Sequence, residues 1–200
     1  MGECTNFYKA SLQKQEDIVN AGFQVFGKNG YQNASMNEIA RMAGISKPAL
    51  FYYFGTKKEF FLFLYRFAYQ KINEQVREGG EDFFECLWLA IDIKLKVIHA
   101  YPGFHLFLLS VLREENFPIL REIQVDSYNQ FKTATSVLFR NVNWDKFRPG
   151  IDRNDVYHLI SYISNGMIRD HPNDPPEIIM QQLRPLLMLL KPAFYREEYL

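Results

Sequence analysis

Between Ser35 and Glu59 the chain starts and stops helices at close intervals, and few folds tolerate that rhythm. Ser35-Met36-Asn37-Glu38 is a capping box: the Ser35 hydroxyl takes a free backbone N–H while Glu38 reaches back to the N-cap. The helix it opens is short, Met36 to Ala43, with Ile39, Ala40 and Ala43 on one side. Gly44 ends it and Ile45 follows as an apolar plug. Ser46 then caps again, and Pro48 falls in the first turn, where a missing N–H costs nothing. The third helix runs to Phe54 and stops at Gly55, and Thr56-Lys57-Lys58-Glu59 is another capping box opening a longer helix. Upstream, Asp17 to Asn29 sets Ile18, Ala21, Gly22, Val25 and Phe26 at helical spacing. Gly30 closes that helix as a C′ residue.

A longer helix followed by two short ones joined at a glycine is a helix-turn-helix arrangement. Each turn residue has a physical job. Ala40 is small enough for the two helices to cross closely, Gly44 permits a left-handed turn, and Ile45 fills the angle. An ordinary helical hairpin needs none of these together. Turning the third helix at about 100° per residue puts Leu50 and Phe54 on one face, with Ile39 and Phe26 as core partners. Ala49 and Tyr53 share another face with Tyr52 beside them, and Lys47 and Pro48 stand at the N-terminal end, which enters a major groove in this motif. Asn37 and Lys47 are candidates for reading base edges, since Asn pairs with adenine and Lys with guanine, and Ala49 suits a thymine methyl. The whole chain balances 23 basic against 23 acidic residues, which argues against a bulk nucleic-acid coat. Yet Lys28, Arg41, Lys47, Lys57 and Lys58 face only Glu38 between residues 28 and 58, a local +5 − 1 = +4. A sequence-specific reader is charged in that way.

These residues resemble the N-terminal domain of TetR-type transcriptional regulators. The match runs over about residues 13–64 in Phe26, Gly30-Tyr31, Ser35, Ile39-Ala40, Ala43-Gly44-Ile45-Ser46, Leu50-Phe51, Tyr53-Phe54 and Thr56-Lys57-Lys58-Glu59. The resemblance implies that Tyr53 meets a phosphate or base and that Lys57 grips phosphate. Phe51 stands where the family usually has Tyr, so one hydroxyl is missing, with Tyr52 or Tyr53 placed to compensate. Ser35, Asn37, Ser46, Lys47, Pro48, Ala49, Tyr52, Tyr53 and Lys57 make up the expected DNA-facing set. The implied partners are double-stranded operator DNA with a palindromic site, a small-molecule effector and a second copy of the chain. Release of DNA by effector, with repression, is the family's usual mode. The expected division is a DNA-binding domain over 1–56 and an effector-binding and dimerisation domain over 57–200.

Helical periodicity continues to the end without strand signals, so the chain reads as all-α with about nine helices. Expected helices run Lys57–Glu78, Asp82–Ala100, Phe104–Glu114, Pro118–Asn141, a segment capped at Asp152 and reaching Asp170, and Pro176–Leu190, the last with a kink at Pro185. Two of these carry broad apolar stripes: Val156, Leu159, Ile160, Ile163 and Met167 on one, and Ile179, Leu183, Leu186, Leu187 and Leu190 on the other. Paired with a second subunit they would make a four-helix bundle. The aromatics Phe63, Phe67, Phe84, Trp88, Phe104, Phe107, Tyr128 and Phe131 read singly as core and together as an excess that suits a mostly apolar cavity. His105, Tyr162 and Asn165, with Tyr128, are its candidate polar groups, and a flat lipophilic or aromatic effector is the expected ligand. No metal or cofactor is expected: the four histidines are scattered, and no glycine-rich phosphate loop, G-x-S-x-G or Cys/His nucleophile pattern occurs. The rival readings are an all-helical enzyme and a structural interaction module; the second would not need Lys57 or the charged turn. Cys4 and Cys86 do not form a disulfide framework, and the N-terminus lacks an apolar signal core, so a soluble cytoplasmic protein is expected.

Overall fold

The computed structural model describes residues 5–114, 118–119, 121–123, 134 and 136–200. Its α-helices are α1 (Thr5–Tyr8), α2 (Leu12–Asn33), α3 (Met36–Met42), α4 (Lys47–Phe54), α5 (Lys57–Asn73), α6 (Phe83–Ala100), α7 (Phe104–Leu112), α8 (Arg153–Asp170), α9 (Pro176–Met188) and α10 (Lys191–Phe194). Among the described residues the one β pairing is an isolated bridge between Phe147 and Tyr195. The all-α expectation holds. Half of the helix expected over 118–141 lies outside the described residues. α5 ends five residues short of Glu78, and α9 continues as one helix past Pro185.

The chain forms two compact units: residues 1–75 with 96–133, and 76–95 with 134–200. These units follow packing, so α5 belongs with the helices before it rather than with the chain after residue 56.

The first unit is built on α2, which buries Ile18, Val19, Ala21, Gly22, Phe23, Val25 and Phe26. That stripe takes α5 and α7, and both approach closely because glycines stand at the crossings. A Cβ on Gly22 would lie 2.6 Å from Leu64 Cδ1, and one on Gly27 would lie 2.7 Å from Leu106 Cβ. α2 breaks at Gly30, whose φ of 70° is left-handed, so the expected C′ position appears as a kink with one more turn beyond it. α5 buries Phe60 through Tyr65 consecutively, more than one face of a helix, because it is enclosed on several sides. α1 was not anticipated. Its Phe7 is fully buried, with its ring 5.2 Å from Phe54 and 4.9 Å from Phe63.

The second unit packs Phe83, Phe84 and Leu87 of α6 against Val156 and Ile160 of α8 and Leu183 and Leu187 of α9. Its chain end is tied down by side chains. Arg148 donates to the carbonyls of Tyr195 (2.8 Å) and Pro192 (3.0 Å), and Arg196 donates to the Phe147 carbonyl (3.1 Å). The Tyr195 hydroxyl accepts the Phe83 N–H at 3.1 Å and donates to Asp82 Oδ2 at 3.3 Å. Burial raises both Tyr195 and Tyr157, the latter to about 12, so both hydroxyls remain protonated in the core.

Candidate nucleic-acid interface

The turn between α3 and α4 is a Schellman motif. Ile45 N donates to Ala40 O (3.0 Å), Gly44 N donates to Arg41 O (3.2 Å), and Gly44 holds φ 65°. The left-handed residue lets the chain double back while the Ala40 and Arg41 carbonyls are paired. Ser35 and Ser46 are N-caps, their hydroxyls accepting from Glu38 N (3.4 Å) and Ala49 N (3.2 Å). They act by fixing where the two helices begin. The Glu38 carboxylate does not close the reciprocal half of its box: Asn29 Nδ2 donates to Glu38 Oε2 at 3.4 Å, tying α3 to α2. At Thr56 the carboxylate does return, with Thr56 Oγ1 donating to Glu59 Oε2 and accepting Glu59 N, both at 3.1 Å.

α4 divides as its wheel requires. Leu50 and Phe54 are buried, Lys47, Pro48 and Tyr52 are exposed, and Ala49 and Tyr53 are half-buried. Of the four consecutive aromatics only Tyr52, 67% exposed, stands out in solvent. The Tyr53 ring lies edge-on to Phe7 at 6.3 Å and to Phe54 at 6.2 Å. The fully buried α1 ring therefore fixes the tilt of Tyr53. Phe51 lies beneath Lys47, whose Nζ is 5.9 Å from the ring centroid, so the residue that lacks a hydroxyl carries a cation instead. Asn37 is exposed on the first turn of α3.

Lys57, at the start of α5, does not wave free. Its Nζ donates to Gln32 O at 3.0 Å and sits 5.0 Å from the Tyr31 ring centroid. Partial burial holds its ammonium below the ordinary lysine value, and the Glu114 carboxylate pulls it back up. Lys58 is not a free surface charge: it pairs with Glu122. Sequence reasoning missed Phe7, Glu114 and Glu122. The apolar Phe7-Tyr8 pair ahead of the Ser11 cap was the available signal for the first, and nothing local signals the other two.

The expected cavity residues belong to both units. Phe63 and Phe107 are core of the first unit, Phe63 against Phe54 and Phe107 against Phe23 and Phe61. Phe67 and His105 are half-buried there. Trp88 and Asn165, of the second unit, are half-buried, and the Arg184 guanidinium sits 4.9 Å from the Trp88 ring. Tyr162 is 72% exposed. Tyr128 and Phe131 lie outside the described residues.

The stripes on α8 and α9 also split. Val156, Ile160, Ile179, Leu183 and Leu187 are buried within the subunit and offer no surface to a partner. Ile163, Met167 and Leu190 are partly buried against the same core. Leu159 and Tyr162 on α8, and Ile178 and Leu186 on α9, remain exposed and apolar. Gly166 stands on the Leu159–Tyr162 face with open space where a Cβ would be. Among the described residues no His/Cys/Asp/Glu group could hold a metal ion, and no single helix is long and apolar enough to cross a membrane.

The model of the family described as bacterial regulatory proteins, tetR family, matches residues 18–64. The chain is 27% identical over 103 residues to the HTH-type transcriptional repressor AcnR of Corynebacterium efficiens, covering 46% of this chain and 55% of that one, so it spans just over half the length of that relative. Its fold is that of the fatty acid degradation regulator FadR from Bacillus halodurans, with TM-score 0.68 at 18% identity over 88% of this chain and 96% of that one. FadR of Bacillus subtilis, in complex with stearoyl-CoA, aligns with TM-score 0.64 at 14% identity over 86% and 96%. The matched segment is the one whose caps, glycine turn and exposed α4 end were described above, and over it the chain is similar to the bacterial regulatory proteins of the tetR family.

Proposed function

We propose that the chain is a repressor that binds a palindromic operator as a homodimer and is released by a small, mostly apolar effector. The observation that carries the reading is the Schellman-turned α3–α4 pair, which leaves Asn37, Lys47 and Tyr52 exposed together while Leu50 and Phe54 are buried. In this reading α4 enters the major groove, Asn37 and Lys47 read base edges, and Ala49 meets a thymine methyl. Tyr52 takes the phosphate contact that Phe51 lacks, Tyr53 supports it, and the remaining Lys57 donors hold a second phosphate. Dimerisation uses the exposed apolar residues of α8 and α9, which would place two α4 helices on two half-sites. A long-chain acyl ligand such as that of the Bacillus subtilis FadR complex suits an aromatic, apolar chain. The working compartment is the cytoplasm, where the DNA is.

Binding to the gene's own upstream region tests this. Lys57→Ala weakens binding to all sequences and lowers the salt slope by about 1, whereas Asn37→Ala and Lys47→Ala change the preferred sequence. Equal behaviour of the three would refute the division into grip and readout. Binding that ignores sequence would refute the regulator itself.

A further inference from the structure

Lys57 and Lys58 open α5 side by side, but their ammonium groups are held differently. Lys57 is anchored by the Gln32 carbonyl and the face of Tyr31, both supplied by the end of α2. Lys58 is joined to a carboxylate distant in sequence, that of Glu122. Around them the groups form one electrostatic cluster. Glu114 acts through space on both Lys57 and Tyr31, and Lys58 acts on Tyr31. Phe61 fixes the Tyr31 ring from below at 5.2 Å. Every member belongs to the first unit. Carboxylate and phosphate oxygens compete for the same charged donors. A lysine engaged by Glu122 therefore makes one contact fewer with a duplex.

We propose that Lys58 is a second phosphate-binding residue of the DNA-binding region, held off the duplex by Glu122, which fills its ammonium as a stand-in for phosphate. The proposal rests on the reading of α3–α4 as the DNA reader and adds a regulation to it. Wherever Glu122 is carried away from α5, the protein gains a phosphate contact; wherever it returns, the contact is lost. The pair suits this role because both side chains are about two-fifths exposed, 40% and 41%. Exposed pairs are weak, so a small displacement opens them. Lys57, anchored by neutral partners, stays a fixed contact throughout. Its anchors do not repel phosphate, and Glu114 only tempers it.

A mutant cycle decides the matter, with binding measured at several salt concentrations on the upstream fragment and on a random-sequence duplex. Glu122→Gln frees Lys58 and steepens the slope of log affinity against log salt by about 0.9, the value for one added phosphate contact. Lys58→Ala alone removes no phosphate contact and leaves the slope unchanged, while the bared Glu122 carboxylate lowers affinity alike on both duplexes. The double variant returns to wild type. Glu122→Asp keeps the charge and withdraws it by one methylene, so it follows Glu122→Gln. A gain that survives in the double variant, or an aspartate variant that behaves as wild type, means the carboxylate acts only as a distant negative charge and overturns the proposal. A salt slope shallower by about 0.9 in Lys58→Ala alone overturns it too, since Lys58 would then already be on phosphate. Failure to prefer the upstream fragment would instead sink the operator reading. The cycle on random duplex still reads Lys58 in that case, because phosphate contacts do not depend on sequence.

Discussion

Gly27→Ala tests the packing on which the first unit stands. The new Cβ would lie 2.7 Å from Leu106 Cβ, 2.8 Å from Leu106 C and 2.8 Å from Phe107 N. Two of these neighbours are backbone, which cannot rotate aside. Restoring ordinary contact at 3.4 Å requires α7 to retreat by 3.4 − 2.7 = 0.7 Å. That retreat pulls Phe104 and Phe107 from Phe23, whose ring lies 5.4 Å and 5.1 Å from theirs. Overpacking of this kind costs about 1–3 kcal/mol, and the immovable backbone places this site near the upper end. Alanine returns about 1 kcal/mol of helix propensity. The expected net loss is about 2 kcal/mol. Gly166→Ala is the control: with nothing near its Cβ it keeps the propensity gain and stabilises the subunit by about 1 kcal/mol. Urea unfolding of both variants, in a Leu186→Glu background that keeps the chain monomeric, should separate them by about 3 kcal/mol at unchanged m-value. If Gly27→Ala is as stable as the parent, α2 and α7 do not meet as described.

Other substitutions probe the second unit. Leu186→Glu, at a position 44% exposed, leaves the fold intact and yields monomers on sizing. Leu183→Glu, at 1% exposure, buries a charge and unfolds the subunit instead, so an unchanged elution volume for Leu186→Glu sinks the proposed interface. Tyr195→Phe removes the acceptor of the buried Phe83 N–H and costs about 1–3 kcal/mol in thermal or denaturant unfolding. A variant as stable as wild type would show that this N–H finds another partner.

How far the chain could be read from its letters depended on the range of each interaction. α3 and α4 were legible almost to the residue because caps, the Gly44 turn and the Pro48 first turn act within a few positions. The Asp152 cap placed the start of α8 for the same reason. The stripe on α9 was legible as apolar but not as divided. Leu183 and Leu186 are equally hydrophobic and one turn apart, and only the tertiary fold turns the first to the core and leaves the second outside. The aromatics expected to line a cavity are no easier to sort from the letters. Periodicity cannot tell a ring that fills a core, such as Phe63 or Phe107, from one beside a void. Phe7 escaped because a four-residue helix carries too little pattern to declare a buried face.

The same limit bears on charge, where it changes a conclusion. Counted along the chain, residues 28–58 hold +5 − 1 = +4. Counted in space, Glu122 pairs with Lys58 and Glu114 acts on Lys57, so the patch falls by two to +2. Each phosphate contact contributes about 0.9 to the salt slope, so those two carboxylates bear on a substantial share of the electrostatic affinity of such a small patch. They come from residues 114 and 122, far along the chain from α3 and α4 yet inside the same compact unit. In the proposed reading, a chain with no net charge holds DNA through a local cationic surface whose strength is set by where two acids stand. Its salt dependence, more than its pI, is the quantity that reports its state.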